Sequence, residues 1–335
     1  MKIVFLDEYS VCGRSMEALS RFGEYKGYDM TAPDEVAERC ADADIVITNK
    51  VVIDAATMAR LPHLKLICVA ATGMNNVDLA AAADRGIEVR NAVGYSTYAV
   101  AETTLGAALA LLRETVYYDG YFKSGRYAAS DRIFNFDRPT AQLRGRRWGI
   151  VGLGNIGHEV ARLAAAFGCE VAYSSTSGVA RSEKYPCLPL DELLAASDVV
   201  SVHCPLNDHT RGLIGEAELS RMKPTAILIN VARGGIVDEA ALARALDAGT
   251  IRSAALDVFS TEPLRESPLY ALKDPYRLLA SPHNAWSPVE AIDRLIACVV
   301  ANIEDFLDKS VRCGIFIVHE IYFVGWNVFL RENFY

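Results

Sequence analysis

At 335 residues the chain is long enough for two domains with separate cores, and its 51% hydrophobic and 23% charged residues are those of an ordinary soluble globular protein. A balance of 34 Lys and Arg against 42 Asp and Glu, net −8, argues against a nucleic-acid surface, which is usually basic. Eight cysteines (Cys12, Cys40, Cys68, Cys169, Cys187, Cys204, Cys298 and Cys313) are scattered without a CxxC pair or a Cys/His cluster at metal spacing; most lie in apolar stretches and read as small core residues of a reducing compartment, and no metal is expected.

The opening MKIVFLDEY meets Asp7 too early for a signal peptide, which predicts a cytoplasmic protein. The first apolar runs are KIVFLD (2–7), DIVITN (44–49), LKLICVA (64–70) and IEVRN (87–91), with helix-length amphipathic stretches between them. That alternation predicts βαβ units and a parallel sheet. One long helix is expected over roughly 98–118. Residues 119–146 lack periodicity and read as a connecting arm.

A second series follows: RRWGIVG (146–152), CEVAYSS (169–175), SDVVSVHC (197–204), TAILINV (225–231), IRSAALDVF (251–259) and YRLLASP (276–282). Six strands with intervening helices predict a doubly wound nucleotide-binding domain. A helix from about Pro288 to Lys309 carries Ile292, Leu295, Ile296, Val299, Ile303 and Phe306 on one face. The predicted fold is α/β, with two Rossmann-like doubly wound parallel-sheet domains. Residues 1–97 plus 286–310 form a flavodoxin-like substrate domain, and residues 98–285 form the nucleotide-binding domain inserted in it. The final stretch, 311–335, is an atypical apolar tail that His319, Glu320 and Asn327 interrupt, unlike a membrane span. An arm packed on the first domain or on a partner, an irregular addition to the chain, and a membrane-surface anchor stay open for it.

GLGNIG (152–157) stands directly after an apolar strand and opens an amphipathic helix, where a dinucleotide motif must stand. Gly152 permits the tight turn, Gly154 lets backbone approach the pyrophosphate, and Gly157 lets helix pack on strand. Asn155 and Ile156 complete the turn, whose free N–H groups face the phosphates. About 20 residues on, a carboxylate usually accepts the ribose hydroxyls. Here the text reads Tyr173, Ser174, Ser175, Thr176, Ser177, with Arg181 nearby. Hydroxyls do not repel a 2′-phosphate as a carboxylate does, so the cofactor is NAD or NADP, with discrimination against NADP expected to be weak.

Three segments stand just past successive strands of the second series. They are NVARGGIVDE with Arg233, LDVFSTEP with Asp257 and Glu262, and SPHNAW with His283. Reducing a 2-keto acid needs a cation for the carboxylate and carbonyl, and a proton donor beside the carbonyl oxygen. The planar fork of arginine suits the first task and the near-neutral titration of histidine the second. A glutamate against an imidazole favours its charged form.

With ATGMNNVDL (71–79), YAVAETTLGAALALLR (98–113), GIVGLGNIG (149–157), HCPLNDHTRGLI (203–214) and these three segments, the chain resembles the D-isomer-specific 2-hydroxyacid dehydrogenase family over residues 1 to about 308. The resemblance implies that Arg233 binds substrate, His283 is the acid/base and Glu262 supports it. It implies that Asp257 contacts the nicotinamide amide, while Thr97, Val100, Pro205 and Thr210, with Ser175 at the ribose end, line the cofactor. Thr72 and Gly73 would hold the substrate carboxylate through backbone groups. It also implies a homodimer built through the helical arm (98–146). Trp286, beside the histidine, is expected to narrow the site toward small acids such as hydroxypyruvate or glyoxylate. The alternative from another class is an NAD(H)-sensing corepressor-like binding protein of the same fold. Neither reading calls for nucleic acid or membrane as a direct partner.

Overall fold

A computed structural model describes residues 1–178 and 183–329, with side chains described through residue 309. The chain divides into two compact units, Met1–Ser96 with Val289–Tyr335, and Thr97–Pro288.

The first unit runs β1 (Lys2–Phe5), β2 (Glu24–Gly27), α1 (Val36–Arg39), β3 (Ile45–Thr48), α2 (Ala55–Met58), β4 (Leu66–Val69), α3 (Leu79–Asp84) and β5 (Glu88–Asn91). Its sheet is parallel in the order β2-β1-β3-β4-β5, the flavodoxin-like arrangement. β3 and β4 are buried along their whole length, which is why they read as unbroken apolar runs. β2 was not expected. Its EYKG alternates exposed and half-buried residues at the sheet edge, so no apolar run announces it. Asp7, just past β1 and buried, accepts backbone N–H bonds from Asn49 at 2.8 Å and Lys50 at 2.6 Å, tying the turn after β3 to β1. Burial pushes its pKa up, against those bonds.

The closing helix (Val289–Phe329) buries Ala291, Ile292, Leu295, Val299 and Ile303 in this unit. Burying each leucine- or isoleucine-sized side chain is worth about 1.5–3 kcal/mol. Arg294 donates to the Tyr95 carbonyl at 2.9 Å and Asn302 to that of Asn91 at 3.0 Å, which seats the helix against the end of β5. Its backbone continues past residue 309, where a stop was expected; the side chains of the 311–335 tail lie outside the described residues.

The second unit runs α4 (Thr97–Arg113), α5 (Thr115–Lys123), β6 (Arg147–Val151), α6 (Asn155–Ala166), β7 (Glu170–Ser174), α7 (Leu190–Ala196), β8 (Val199–Val202), α8 (Glu216–Arg221), β9 (Ile227–Asn230), α9 (Glu239–Ala248), β10 (Ser253–Leu256) and β11 (Leu278–Ala280). Its sheet is parallel in the order β11-β10-β9-β8-β6-β7. β6 is the first strand of this unit, and its neighbours β7 and β8 lead away on opposite sides, so the topological switch falls there. The single helix expected over 98–118 is two. Glu114 stands between them at φ +53, in the left-handed region. Its carboxylate accepts from Arg138 and Arg252, each at 3.0 Å, with all three side chains mostly buried. The ionic cluster compensates for the backbone strain and anchors the returning arm.

Candidate active site

Because every strand of the second unit runs the same way, one edge of its sheet gathers the ends that carry chemistry. In order along that edge stand His283 after β11, Asp257 and Glu262 after β10, Arg233 after β9, His203 to Pro205 after β8, the glycine turn after β6, and Ser175 after β7.

The turn after β6 has the geometry a pyrophosphate needs. Gly152 sits at φ +92, and a Cβ there would lie 2.8 Å from the Cys204 backbone nitrogen. A Cβ on Gly157 would come within 2.4 Å of the Gly152 carbonyl, so helix and strand approach only because both are glycine. At Gly154 a Cβ would meet nothing within 4 Å. That position opens outward. α6 has no side-chain cap, which leaves its first N–H groups free for an anion. Asn155 is exposed there, and Ile156 packs inward on the core. The residues present therefore fit a dinucleotide.

Thr97 and Val100 lie in the first turn of α4, which packs along α6. Pro205 is exposed after β8. Thr210 is buried, and its hydroxyl donates to the Pro205 carbonyl at 2.6 Å and accepts from Asn207 N–H at 2.8 Å, so its side chain closes this loop. Ser175 and Ser177 hydroxyls are 3.2 Å apart just past β7. Arg181 lies outside the described residues.

Glu262 and His283 meet directly. Nδ1 of His283 is 2.7 Å from Glu262 Oε2, while Oε1 accepts the Phe259 N–H at 2.9 Å. A carboxylate can only accept, so Nδ1 carries the hydrogen and Nε2 is left for chemistry. His283 sits at φ +57, a conformation non-glycine residues rarely adopt. Asp257 holds it there. Its carbonyl accepts the His283 N–H at 2.8 Å, and its buried carboxylate accepts from Ser281 Oγ at 2.6 Å, Asn284 N–H at 2.8 Å and Ala285 N–H at 2.9 Å. Asp257 thus acts on the histidine loop as a clamp. Trp286 packs on the core cluster just beyond.

Arg233 is half-buried, its guanidinium turned back to the Ala232 carbonyl at 2.7 Å. Asn230, buried at the end of β9, donates to the Arg233 carbonyl at 2.9 Å and accepts the Ala232 N–H at 3.1 Å. The next residue, Gly234, lies so close to Phe259 that a Cβ would stand 1.7 Å from its carbonyl oxygen. The arginine loop and the glutamate loop are thereby in backbone contact. Asn230, Gly234 and Ser281 were not among the sequence candidates. The asparagine-led turn at the end of a strand and the paired glycines after Arg233 were the signals available. Thr72 and Gly73 lie just past β4 in the first unit, where Thr72 bonds the Ala92 carbonyl at 3.1 Å.

His203, at the switch point, has both ring nitrogens enclosed without a hydrogen-bond partner among the described residues. Burial pushes its pKa down to about 3. The unfolded histidine binds a proton below its ordinary value near 6.5 and the folded one does not until about 3. Stability is therefore lost as pH falls between those limits, by about 1.4 kcal/mol per pH unit at most. Urea unfolding of wild type and His203→Leu at pH 7.5 and 5 is expected to show a smaller loss in the variant; equal losses would overturn this.

Among the described residues no group of three or more His, Cys, Asp and Glu is placed to hold a metal ion, and no helix is long and apolar enough to cross a membrane. The model of the NAD binding domain of D-isomer specific 2-hydroxyacid dehydrogenases matches residues 105–285. A glycerate dehydrogenase of Methylorubrum extorquens is 39% identical, over 91% of this chain and 96% of its own. A hydroxypyruvate reductase of Blautia hydrogenotrophica is 34% identical, over 92% of this chain and 98% of its own. Among solved structures, the NADPH-dependent glyoxylate/hydroxypyruvate reductase of Sinorhizobium meliloti, in complex with NADP and malonate, has a TM-score of 0.79 at 30% identity, covering 91% of this chain and 93% of that one.

Proposed function

Because the chain belongs to the D-isomer-specific 2-hydroxyacid dehydrogenase family, we propose that it reduces a small 2-keto acid, hydroxypyruvate or glyoxylate, to the D-2-hydroxy acid with NADH or NADPH. The observation that carries this reading is the His283–Glu262 pair, at 2.7 Å, formed between the loops after β11 and β10, with Arg233 on the next loop, after β9.

A bound reduced nicotinamide supplies the hydride. Arg233, released from the Ala232 carbonyl, grips the substrate carboxylate and polarises the carbonyl through its planar fork. His283 delivers a proton from Nε2 to the carbonyl oxygen, and in the reverse direction takes it from the hydroxyl. Glu262 fixes the ring through Nδ1 and stabilises the positive charge the imidazole carries before transfer. Asp257 keeps the histidine loop in its left-handed turn, with a nicotinamide amide as its further partner in this reading. Thr72 and Gly73 are assigned to the substrate carboxylate, and Trp286 to limiting substrate size.

The hydroxyl-bearing turn at Ser175–Ser177 supports use of NADPH as well as NADH, and the seven described cysteines, all free thiols, accord with a cytoplasmic setting. The arm leaves Ile133, Phe134 and Phe136 exposed at 76%, 69% and 85%, an apolar surface that a second copy of the chain would cover.

Steady-state oxidation of NADH and NADPH with hydroxypyruvate, glyoxylate and pyruvate, on enzyme sized by sedimentation, tests all of this. Turnover of the first two acids by a dimer is expected. A preference for NADH above about a hundredfold, worth about 2.7 kcal/mol, would defeat the cofactor reading. Absence of turnover with every acid would defeat the function.

A further inference from the structure

His158, in the opening turn of α6, is bonded at both ring nitrogens. Nδ1 is 2.9 Å from the Gly154 carbonyl oxygen, and Nε2 is 2.9 Å from Oε2 of Glu183. Both facing atoms are acceptors. A neutral imidazole has one N–H and satisfies only one of them, so the doubly protonated ring is the form this geometry suits. The pair is then a true ion pair, with Glu183 mostly buried and His158 at 45% exposure.

Its position gives it meaning. From Ser174 to Ser182 the chain carries no Asp or Glu, and Glu183 is the first carboxylate after β7. It belongs to the connection that leaves the ribose end with Ser175 and Ser177. Its histidine partner sits at the pyrophosphate turn, bonded to the very glycine that opens outward. The contact thus joins the two backbone segments that would flank the adenosine half of a dinucleotide, and it offsets the negative charge of Glu183.

We propose that His158 and Glu183 form a charge pair that sets cofactor selectivity, His158 neutralising Glu183 so that a dinucleotide bearing a 2′-phosphate is tolerated. This rests on the reading of the glycine turn as an NAD(P) site. Neither residue touches the reacting atoms. They are positioning residues, acting through the charge and placement of the ribose-side connection.

The expected effect separates the two cofactors. His158→Gln keeps a hydrogen-bond donor for the carboxylate and removes the positive charge that His158 places beside Glu183. A 2′-phosphate adds roughly 1.5–2 negative charges, and NAD lacks it. NADP affinity should therefore fall about fivefold to tenfold more than NAD affinity, an electrostatic effect of the size expected near a partly solvated surface. Glu183→Gln should preserve or raise the NADP-to-NAD ratio, and the double variant should restore the ratio of the wild type.

Calorimetric titration of the intact protein with NADP+ and with NAD+, for wild type, both single variants and the double variant, reads this without turnover. Companion kinetics should place the change in cofactor KM and leave kcat within about twofold. A structural role alone would weaken both dinucleotides together, so an unchanged ratio in His158→Gln, or no restoration in the double variant, overturns the proposal. Failure of the wild type to bind either dinucleotide would instead sink the underlying functional reading.

Discussion

Replacing His283 with alanine is expected to lower kcat by roughly 10²–10⁴-fold, the usual contribution of a positioned general acid. Cofactor binding should survive, since the glycine turn stands on another strand of the sheet. Alanine has a second effect to separate: position 283 sits at φ +57, where an alanine is strained by about 1–3 kcal/mol. His283→Asn controls for this, because asparagine tolerates the left-handed turn and can still donate to Glu262, yet carries no titrating proton. If both variants lose kcat alike, the loss belongs to the proton. Near wild-type rates in His283→Asn would remove the acid role. Arg233→Ala should behave differently, losing kcat/KM by a hundredfold or more, about 3 kcal/mol, as expected when a charged partner of a carboxylate is deleted. Rapid-quench and steady-state measurements with hydroxypyruvate distinguish the two patterns.

Gly234→Ala is expected to cripple the enzyme without touching any group that performs chemistry. The added Cβ would lie 1.7 Å from the Phe259 carbonyl oxygen and 2.6 Å from the Ser260 nitrogen. Those are backbone atoms, so no rotamer change relieves the overlap and the two loops must part. Phe259 N–H donates to Glu262, and Glu262 is bonded to His283, so the displacement reaches the histidine proposed as the acid. A shift of about 1 Å at such a site costs on the order of a hundredfold in rate, and overpacking costs about 1–3 kcal/mol of stability. Gly154→Ala is the contrasting variant. Its Cβ meets nothing within 4 Å, so stability should stay within about 0.5 kcal/mol while dinucleotide affinity falls. Thermal melts and kcat for both variants check this. Full activity in Gly234→Ala would mean that the two loops need not touch.

Much of the fold was legible because a buried parallel strand announces itself: ILIN at Ile227–Asn230 and VVSV at Val199–Val202 are apolar in text and buried throughout. The glycine turn was equally legible, since the close approach of helix and strand at Gly152 and Gly157 leaves no room for a Cβ. Other features left no local trace. EYKG in β2 is polar enough to pass for a loop. The break at Glu114 comes from Arg138 and Arg252, which reach it from 24 and 138 residues away. The second set of contacts made by Asp257, beside the cofactor role proposed for it, also left no local trace. Its carboxylate oxygens hold Ser281, Asn284 and Ala285, partners that only the return of β11 beside β10 supplies. The bond by which Thr210 closes its own loop was equally silent in the sequence.

What the sequence by itself determined is the inventory: two series of parallel strands, a glycine turn opening a helix, and an arginine, a glutamate and a histidine at strand ends. Those are properties of residue type and spacing, set by burial and backbone freedom over a few residues. The tertiary structure alone decided adjacency. It set the strand order that puts β9, β10 and β11 side by side, the contact of Glu262 with His283, and the backbone approach at Gly234. Strand pairing is a choice among distant segments of similar apolar character, and its outcome depends on how the whole sheet buries its faces together.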